Sequence, residues 1–387
     1  MKCLFNVVQA PRLLALCLMA LTTQTWADDE APDVMIDSRA RGEELFYQCA
    51  ALINDGARLA CFDSIAQGKE PNMLQKKRPL DLSKTVISTF KGEPQVVLAE
   101  QAALSDKTVH AEQYTPLSLA YDLDKNSESG LWKARPHNPM YILPLFMNTK
   151  PNRHISTPNQ DISHHTHNQM RTSELKFQMS FKSKLAEDLF GTNADLWAGY
   201  TQQSHWQVYN EDNSRPFRAH DYQPEIFVTQ PVRADLPFGG KLRMLGAGAV
   251  HHSNGESDPL SRSWNRAYVM GGMEWGNLTV MPRFWGRIAK SSDSAKPDDN
   301  PDILDYYGYG DVRFLYQLQE GNNISGLVRY NPKTNKGALQ LDYVYPLGKG
   351  VSGYLQFFQG YGQSIVDYNH ESTAIGVGVM LNDWLGL

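Results

Sequence analysis

The sequence has 387 residues and a formal net charge of −5 at pH 7, with 20% charged and 41% hydrophobic residues. This mildly acidic balance gives no sign of the basic surface by which proteins bind nucleic acids. The 29 Gly, 18 Tyr, 15 Phe and 8 Trp are instead typical of a β-barrel with aromatic girdles.

Residues 1–27 have the layout of a cleaved secretory signal peptide. Lys2 and Arg12 precede an apolar run over residues 13–21, and the small Ala27 marks the expected cleavage site. The alternative is a short membrane anchor, but nine apolar residues fall well short of the roughly 20 that a membrane-spanning helix needs. Cleavage would remove two basic residues and no acid, which changes the formal charge to −7.

Residues 28–115 are predicted to form a periplasmic extension and linker. The only thiols left after cleavage are Cys49 and Cys61, and such a pair in an oxidising compartment is expected to form a disulfide. Apolar residues on both sides of the Asn-Asp-Gly break at 54–56 predict a small helical hairpin that this disulfide closes. A zinc site is the alternative, but no suitably spaced histidines accompany the two thiols.

From residue 116 onward, alternation of apolar and polar residues predicts β-strands. In LKFQMSFK, which begins at Leu175, every second residue is apolar and the others are polar, so one face of the strand is apolar. The same alternation predicts twelve strands, at 139–149, 173–183, 195–209, 223–233, 241–253, 263–275, 277–288, 309–319, 322–331, 337–347, 350–362 and 373–383.

An exported chain without a membrane-spanning helix is either a soluble protein or a membrane β-barrel. A soluble β-sandwich also alternates, but strand length, aromatic residues, an even strand number and export favour the barrel. We therefore predict an all-β fold, a twelve-stranded antiparallel transmembrane barrel over residues 116–387 in the bacterial outer membrane, preceded by the small helical extension. Glu174, Lys176 and Lys182 would face its lumen.

The stretch HHSNGESDPLSRSWNR, residues 251–266, is unusually polar. If the flanking strands pair symmetrically about Asp258-Pro259, His251 lies directly opposite Asn265. Ser253 is two residues beyond His251, on the same face and roughly 6.5 to 7 Å away along the backbone. Asn265 shares its face with the apolar residues of its strand, so all three side chains are predicted on the lipid-facing wall.

These three side chains have the chemistry of a Ser-His-Asn triad. A serine hydroxyl becomes an effective nucleophile when a base takes its proton, and the base needs a third group that fixes its orientation. Ser253 would be the nucleophile, His251 the base and the Asn265 carbonyl the orienting group. A solvated turn is the alternative, since short motifs match by chance, but polar groups on an apolar wall cost free energy and need an explanation.

The hairpin sequence resembles the active-site hairpin of the outer-membrane phospholipase A family. The likeness continues through RPHNPMYILP, GYTQQSHWQVYN, SRPFRAHDYQPEIF, DNPDI and GVGVMLND, covers about residues 116–387 and leaves residues 28–115 outside. It implies a twelve-stranded barrel that hydrolyses fatty-acyl esters of phospholipids and lysophospholipids. On this resemblance Ser253, His251 and Asn265 have the triad roles given above.

The resemblance also implies a calcium ion bound across a homodimer. Its ligands would be the Ser261 hydroxyl and the Glu256 carbonyl of one subunit, the Ser214 hydroxyl of the other, and waters; such oxygen donors suit a hard cation. The Gly255 amide and a calcium-bound water would hold the oxyanion. Gln202, an amide in a lipid-facing row, would lie in the dimer interface.

Some features depart from the resemblance or lie outside it. A member of the family has a basic residue at the position of Glu256 and an Asp at that of His252, which bears on the calcium response. Barrels commonly end in an aromatic residue, whereas Trp384 is three residues from the end. The histidines of DISHHTHNQM, 161–170, predict a solvated loop more than a metal site. Two other functions remain open, a catalytically inactive structural or transport barrel and a soluble lipid-binding β-protein.

Overall fold

The computed structural model describes residues 46, 62, 66, 80–81, 115–124, 130–288, 297–318, 321–348 and 350–381. The chain divides into two compact units, residues 1–78 and 79–387. In the first unit, Phe46 and Phe62 are helical and their ring centroids are 5.0 Å apart. The predicted signal peptide and the predicted Cys49–Cys61 disulfide lie outside the described residues, so both stay predictions.

The second unit consists mainly of β-strands. In chain order they are β1 (Leu80–Asp81), β2 (Ala134–Pro136), β3 (Tyr141–Asn148), β4 (His154–Thr157), β5 (Gln160–His164), β6 (Ser173–Leu189), β7 (Ala194–Trp206), β8 (Phe217–Leu236), β9 (Gly240–Ser253), β10 (Ser263–Trp275), β11 (Leu278–Ile288), β12 (Gly310–Gln317), β13 (Asn323–Asn331), β14 (Lys336–Gly348), β15 (Val351–Tyr361) and β16 (Glu371–Leu381). Two short helices are present in the described part of this unit, α1 (Pro116–Tyr121) and α2 (Ile303–Tyr307).

Twelve of these strands, β3 and β6 to β16, form a closed antiparallel barrel. Successive strands pair with one another, and β3 pairs with both β16 and β6, which closes the ring. Short β2 adds to β6, β1 pairs in parallel with β8, and β4 and β5 form a separate hairpin. The predicted fold class and all twelve predicted strands are confirmed. Within the described residues, no helix has the length and apolar character needed to cross a membrane.

The alternation of side chains gives the barrel an apolar outer wall and a polar interior. Along β10, Trp264 and Arg266 are buried inside whereas Asn265 and Val269 are exposed outside. Large apolar side chains that stay exposed on the strands include Ile142, Met179, Ile226, Phe284, Leu355 and Ile375. Glu174, Lys176 and Lys182 are buried in the lumen, as predicted. This distribution is the reverse of that in a soluble β-sandwich, where the apolar face is the buried one.

The lumen is filled by side chains and by the segment that precedes the barrel. The helix α1 begins after the N-cap Thr115, and its Leu117 and Tyr121 are almost completely buried. The Lys182 ammonium lies 3.5 Å from the centroid of the Tyr121 ring. The Lys184 ammonium donates to Asp122 at 2.6 Å. Paired charges and cation–π contacts of this kind offset the cost of burying charge.

Connections between barrel strands alternate between the two ends. One end has the tight turns 190–193, 237–239 and 276–277, and the other has the longer connections 149–172, 207–216 and 254–262. The hairpin of β4 and β5 belongs to the first of the long connections. The predicted catalytic and calcium-binding residues lie at or next to this long-loop end.

Candidate active site

The hairpin of β9 and β10 positions the predicted catalytic residues. Its register pairs Asn265 with His251 and Ser263 with Ser253, so the opposition expected from the sequence is found. Asn254 closes the hairpin, because its side-chain oxygen accepts from the Arg262 amide at 2.9 Å and its side-chain nitrogen donates to the Leu260 carbonyl at 2.7 Å. This hairpin therefore enters and leaves its turn in a fixed register.

His251 and Asn265 form a hydrogen-bonded pair on the exposed outer wall. The distance between His251 Nδ1 and Asn265 Oδ1 is 2.8 Å, and both residues are exposed. An amide oxygen can only accept, so Nδ1 carries the proton and Nε2 keeps its lone pair. His251 is thus in the tautomer that a general base requires.

Ser253 is half-buried and lies on the same face of β9 as His251. In the part of the chain that the structure describes, its hydroxyl makes no hydrogen bond, either with His251 or with another group. Residues two apart in a strand are about 7 Å apart along the backbone, a span that a rotated imidazole can bridge. Catalytic hydrogen bonds are often long in ligand-free enzymes and shorten when substrate is present.

The backbone at Gly255, directly after the hairpin begins to turn, has a conformation that favours glycine. Its φ is +70°, and a Cβ there would come 3.2 Å from the ring of Tyr222. Tyr222 is also the cross-strand partner of Ser253 on β8. The tyrosine was not singled out from the sequence, because only the pairing of β8 with β9 brings it to the site. Gly255 can hold its amide in this position where a side chain would cause strain.

Two of the predicted calcium ligands lie together in the connection between β9 and β10. The Ser261 hydroxyl donates to Asp299 Oδ2 at 2.9 Å, which leaves the lone pairs of the serine oxygen available to a cation. The exposed Glu256 donates its amide to the Asn254 side chain at 3.4 Å. Asp299 was also missed from the sequence. Hydroxyl and carbonyl oxygens with a carboxylate nearby suit a hard cation such as calcium.

The third predicted ligand, Ser214, belongs to a different connection. It follows a short 3-10 helix, Glu211–Asn213, between β7 and β8 and is exposed with a φ of 56°. Among the described residues, its side chain forms no hydrogen bond with Ser261 or Glu256. Its role as a calcium ligand from a second subunit remains a prediction.

An acidic cavity lies beside the candidate calcium ligands. Its volume is about 400 Å³ and its lining includes Asp161, Asp258, Asp298 and Asp299. The tip of the β4–β5 hairpin reaches this cavity, where the side-chain nitrogen of Gln160 donates to Asp258 at 3.1 Å. The long first connection is therefore hydrogen-bonded to the turn between β9 and β10.

Gln202 lies on the outer wall of β7 and is half-buried. Its side-chain oxygen accepts from the Tyr200 hydroxyl at 3.2 Å, and its nitrogen donates to the Ser204 hydroxyl at 3.3 Å. The amide thus has partners in its own subunit, and its place in a dimer interface remains a prediction.

The histidines of the first connection do not join the site. The His154 and His164 rings pack edge to face across β4 and β5 with centroids 5.1 Å apart, and His167 is exposed. Over the described ranges there is no cluster of three or more His, Cys, Asp or Glu residues placed to hold a metal ion. The predicted calcium ligands, two hydroxyls and a carbonyl, are of a different kind.

The chain is similar to a known protein family and to solved structures. The family model for phospholipase A1 matches residues 117–381. A Neisseria meningitidis serogroup B protein with a provisional assignment as phospholipase A1 is 50% identical over 355 residues, which is 89% of this chain and 92% of that protein. That share exceeds what the barrel occupies, so the similarity extends into the N-terminal part.

Two solved structures are also similar. An active-site mutant of outer membrane phospholipase A from Escherichia coli aligns with a TM-score of 0.60 and 34% identity, covering 69% of this chain and 97% of that chain. The outer membrane phospholipase dimer of Salmonella typhi, solved with bound calcium, aligns with a TM-score of 0.58 and 33% identity over the same shares.

Proposed function

Because this chain belongs to the phospholipase A1 family and is an outer-membrane phospholipase, we propose that it hydrolyses acyl esters of phospholipids and lysophospholipids through Ser253, His251 and Asn265. In this proposal it requires calcium and acts as a homodimer. The observation that supports it best is the 2.8 Å contact between His251 and Asn265 on the outer wall, with Ser253 two residues away. Polar groups on a lipid-facing wall cost free energy, so their presence there indicates a function.

The proposed reaction begins when His251 Nε2 accepts the proton of the Ser253 hydroxyl. Ser253 Oγ attacks the ester carbonyl, and the resulting imidazolium gives its proton to the oxygen of the departing lysolipid or glycerol group. An acyl-enzyme on Ser253 remains. His251 then takes a proton from a water molecule that attacks the acyl group, and fatty acid leaves as the serine regains its proton.

Asn265 orients the imidazole throughout this cycle. Its carbonyl accepts from Nδ1 at 2.8 Å and so keeps Nε2 directed toward the reacting atoms. A neutral amide stabilises the imidazolium less than a carboxylate would. The Gly255 amide would donate to the oxyanion that forms on the ester carbonyl.

The calcium ligands in this proposal are the Ser261 hydroxyl and the Glu256 carbonyl, with Ser214 of the partner subunit. When bound, calcium supplies positive charge near the oxygen on which negative charge develops. Asp299 contributes by accepting a hydrogen bond from the Ser261 hydroxyl, which leaves the serine oxygen lone pairs free. Because Glu256 would act through its backbone carbonyl, its departure from the family pattern leaves the ligand set intact.

A second subunit would also provide the acyl-binding cleft. Around the site the outer wall carries small side chains, among them Ala249, Ala267 and Val269, so one barrel alone offers a shallow surface. A partner packed near Gln202 would cover the acyl chain and bring its own Ser214 to the calcium site. Dimerisation and calcium would then be coupled to activity.

The test measures fatty-acid release from a long-chain phospholipid by detergent-refolded protein, with calcium or with a chelator. Ser253→Ala is compared with Ser257→Ala, which removes a hydroxyl from the exposed turn of the same hairpin. We expect calcium-dependent release by the wild type and by Ser257→Ala and none by Ser253→Ala. If folded wild-type barrel releases no fatty acid in either condition, the inactive structural or transport barrel becomes the better interpretation.

A further inference from the structure

His252 lies between the proposed base and nucleophile but faces the opposite way. It is 3% exposed and points into the barrel, directly opposite Trp264 in the register of β9 and β10. The proposed reaction does not use it, and its position is one of the two at which the sequence departs from the family pattern. A histidine buried beneath a catalytic strand needs partners for both ring nitrogens.

Both nitrogens face polar groups from neighbouring strands. The Trp264 indole donates to His252 Nδ1 at 3.3 Å. Because an indole nitrogen can only donate, Nδ1 is the acceptor and the neutral ring carries its proton on Nε2. Nε2 lies 3.4 Å from Asp221 Oδ2, which is ion-pair distance without hydrogen-bond geometry. The ring therefore bridges β10 and β8 from its place on β9.

Asp221 is anchored in turn by the last long connection. Its two carboxylate oxygens accept from the Ile365 amide at 2.9 and 3.1 Å, and both residues are buried. Ile365 begins the short 3-10 helix Ile365–Asp367 between β15 and β16. One buried carboxylate thus links the catalytic strand, through His252, to the connection between β15 and β16.

We propose that His252 and Asp221 are a positioning pair that fixes the orientation of the catalytic strand, an inference that rests on the proposed function. Successive residues of a strand point to opposite faces, so fixing residue 252 inward also fixes the outward directions of His251 and Ser253. Catalysis depends steeply on this alignment, since a misplacement of about 1 Å can cost about 100-fold in rate.

The pair requires complementary chemistry at the two positions. In the native pair, His252 provides the N–H and Asp221 the negative charge. Asp221→Asn removes the charge, and His252→Asp places two carboxylates together in a buried site, where both cannot readily be charged. Combining the two changes restores complementarity. Asp at 252 would accept from the Trp264 indole and from the amide of Asn at 221, whose oxygen would still accept from Ile365.

The experiment compares Asp221→Asn, His252→Asp and the double variant as full chains refolded in detergent with calcium. It measures kcat and KM on a long-chain phospholipid and the rate at which a long-chain alkylsulfonyl fluoride modifies Ser253. Both single variants should lose about tenfold or more in kcat and in modification rate, with KM unchanged. The double variant should recover to within about threefold of wild type. His167→Asp makes the same change of residue type in an exposed loop and should have no effect.

The decisive result is the direction of change: Asp221→Asn should lower kcat when residue 252 is His and raise kcat when it is Asp. Single variants with wild-type kinetics, or a double variant no better than His252→Asp, would overturn the positioning pair. If His252→Asp does not fold, recovery of heat-modifiable folded barrel in the double variant supports the pair, and failure to recover contradicts it. Hydrolysis that survives Ser253→Ala would instead defeat the proposed function, so the two failures are distinguishable.

Discussion

Replacing Asn265 with alanine tests the orienting hydrogen bond directly. The bond joins Asn265 Oδ1 to His251 Nδ1 over 2.8 Å. A hydrogen bond to a neutral group contributes about 0.5 to 1.5 kcal/mol net, and one to a charged group about 1.5 to 3 kcal/mol. His251 is neutral before the reaction and charged in the transition state, so kcat depends on the difference between these two ranges, about 1 to 1.5 kcal/mol. Asn265→Ala should therefore lower kcat by about 5- to 13-fold.

Stability should change little in the same variant. Both side chains are exposed, so water can satisfy the His251 Nδ1–H once the amide is gone. Substitutions at such sites usually change the free energy of unfolding by about 0.5 kcal/mol or less. The assay is kcat and KM on phospholipid in mixed micelles, alongside thermal unfolding of the refolded barrel.

Asn265→Asp is the matched variant. A carboxylate keeps the acceptor and stabilises the imidazolium better, so kcat should stay well above that of Asn265→Ala. The orienting role of Asn265 is contradicted if Asn265→Ala loses less than about twofold in kcat, or if its loss appears as unfolding rather than as slower turnover.

Three other changes probe the site and the barrel. Gly255→Ala places a Cβ 3.2 Å from the Tyr222 ring at a φ of +70°. It should lower kcat per folded barrel more than about tenfold and also lower the unfolding temperature, because a side chain is strained at that φ; wild-type kcat would contradict an oxyanion role for the amide. Ser261→Ala should raise the calcium concentration for half-maximal activity, and Asp299→Asn should raise it less, as measured by calcium titration; equal responses in all three proteins would contradict the ligand assignment. Lys184→Met removes a cation held 2.9 Å from Asp195, and should destabilise the barrel by about 3 kcal/mol in chemical unfolding while activity per folded barrel is unchanged.

The strands were predictable from alternation, and the site register from alternation together with symmetric pairing about Asp258-Pro259. A barrel wall separates lipid from lumen at every strand, so each strand must keep its apolar face in step. The ends of strands were less predictable where the pairing register shifts. The structure extends β8 over Phe217–Leu236, well beyond the predicted 223–233, and its pairing with β7 shifts register between His205 and Trp206. Such an irregularity interrupts the alternation by which a strand is recognised.

Contacts between segments that are distant in the chain could not be predicted from the sequence pattern. Asp299 and Ser261 are hydrogen-bonded although they are 38 residues apart in the chain, and a local sequence pattern does not specify such a contact. The burial of α1 in the lumen is of the same kind. A Cβ on Gly272 of β10 would lie 2.7 Å from the Leu117 side chain. The glycine therefore leaves room for α1, which is more than 150 residues away in the chain.

Neighbouring residues of β9 lie in different environments, one inside the barrel and the other on its outer wall. His252 is enclosed by fixed partners, whereas His251 and Asn265 are exposed, and an exposed hydrogen bond is weakened by competition with water. A second subunit or the substrate's own acyl chain would exclude that water and strengthen the bond by lowering the local dielectric constant. An outer-wall triad of this kind would therefore be weak in the free barrel and strong when covered. This gives a physical reason why a phospholipase with its triad on the outer wall would need a partner subunit before it acts.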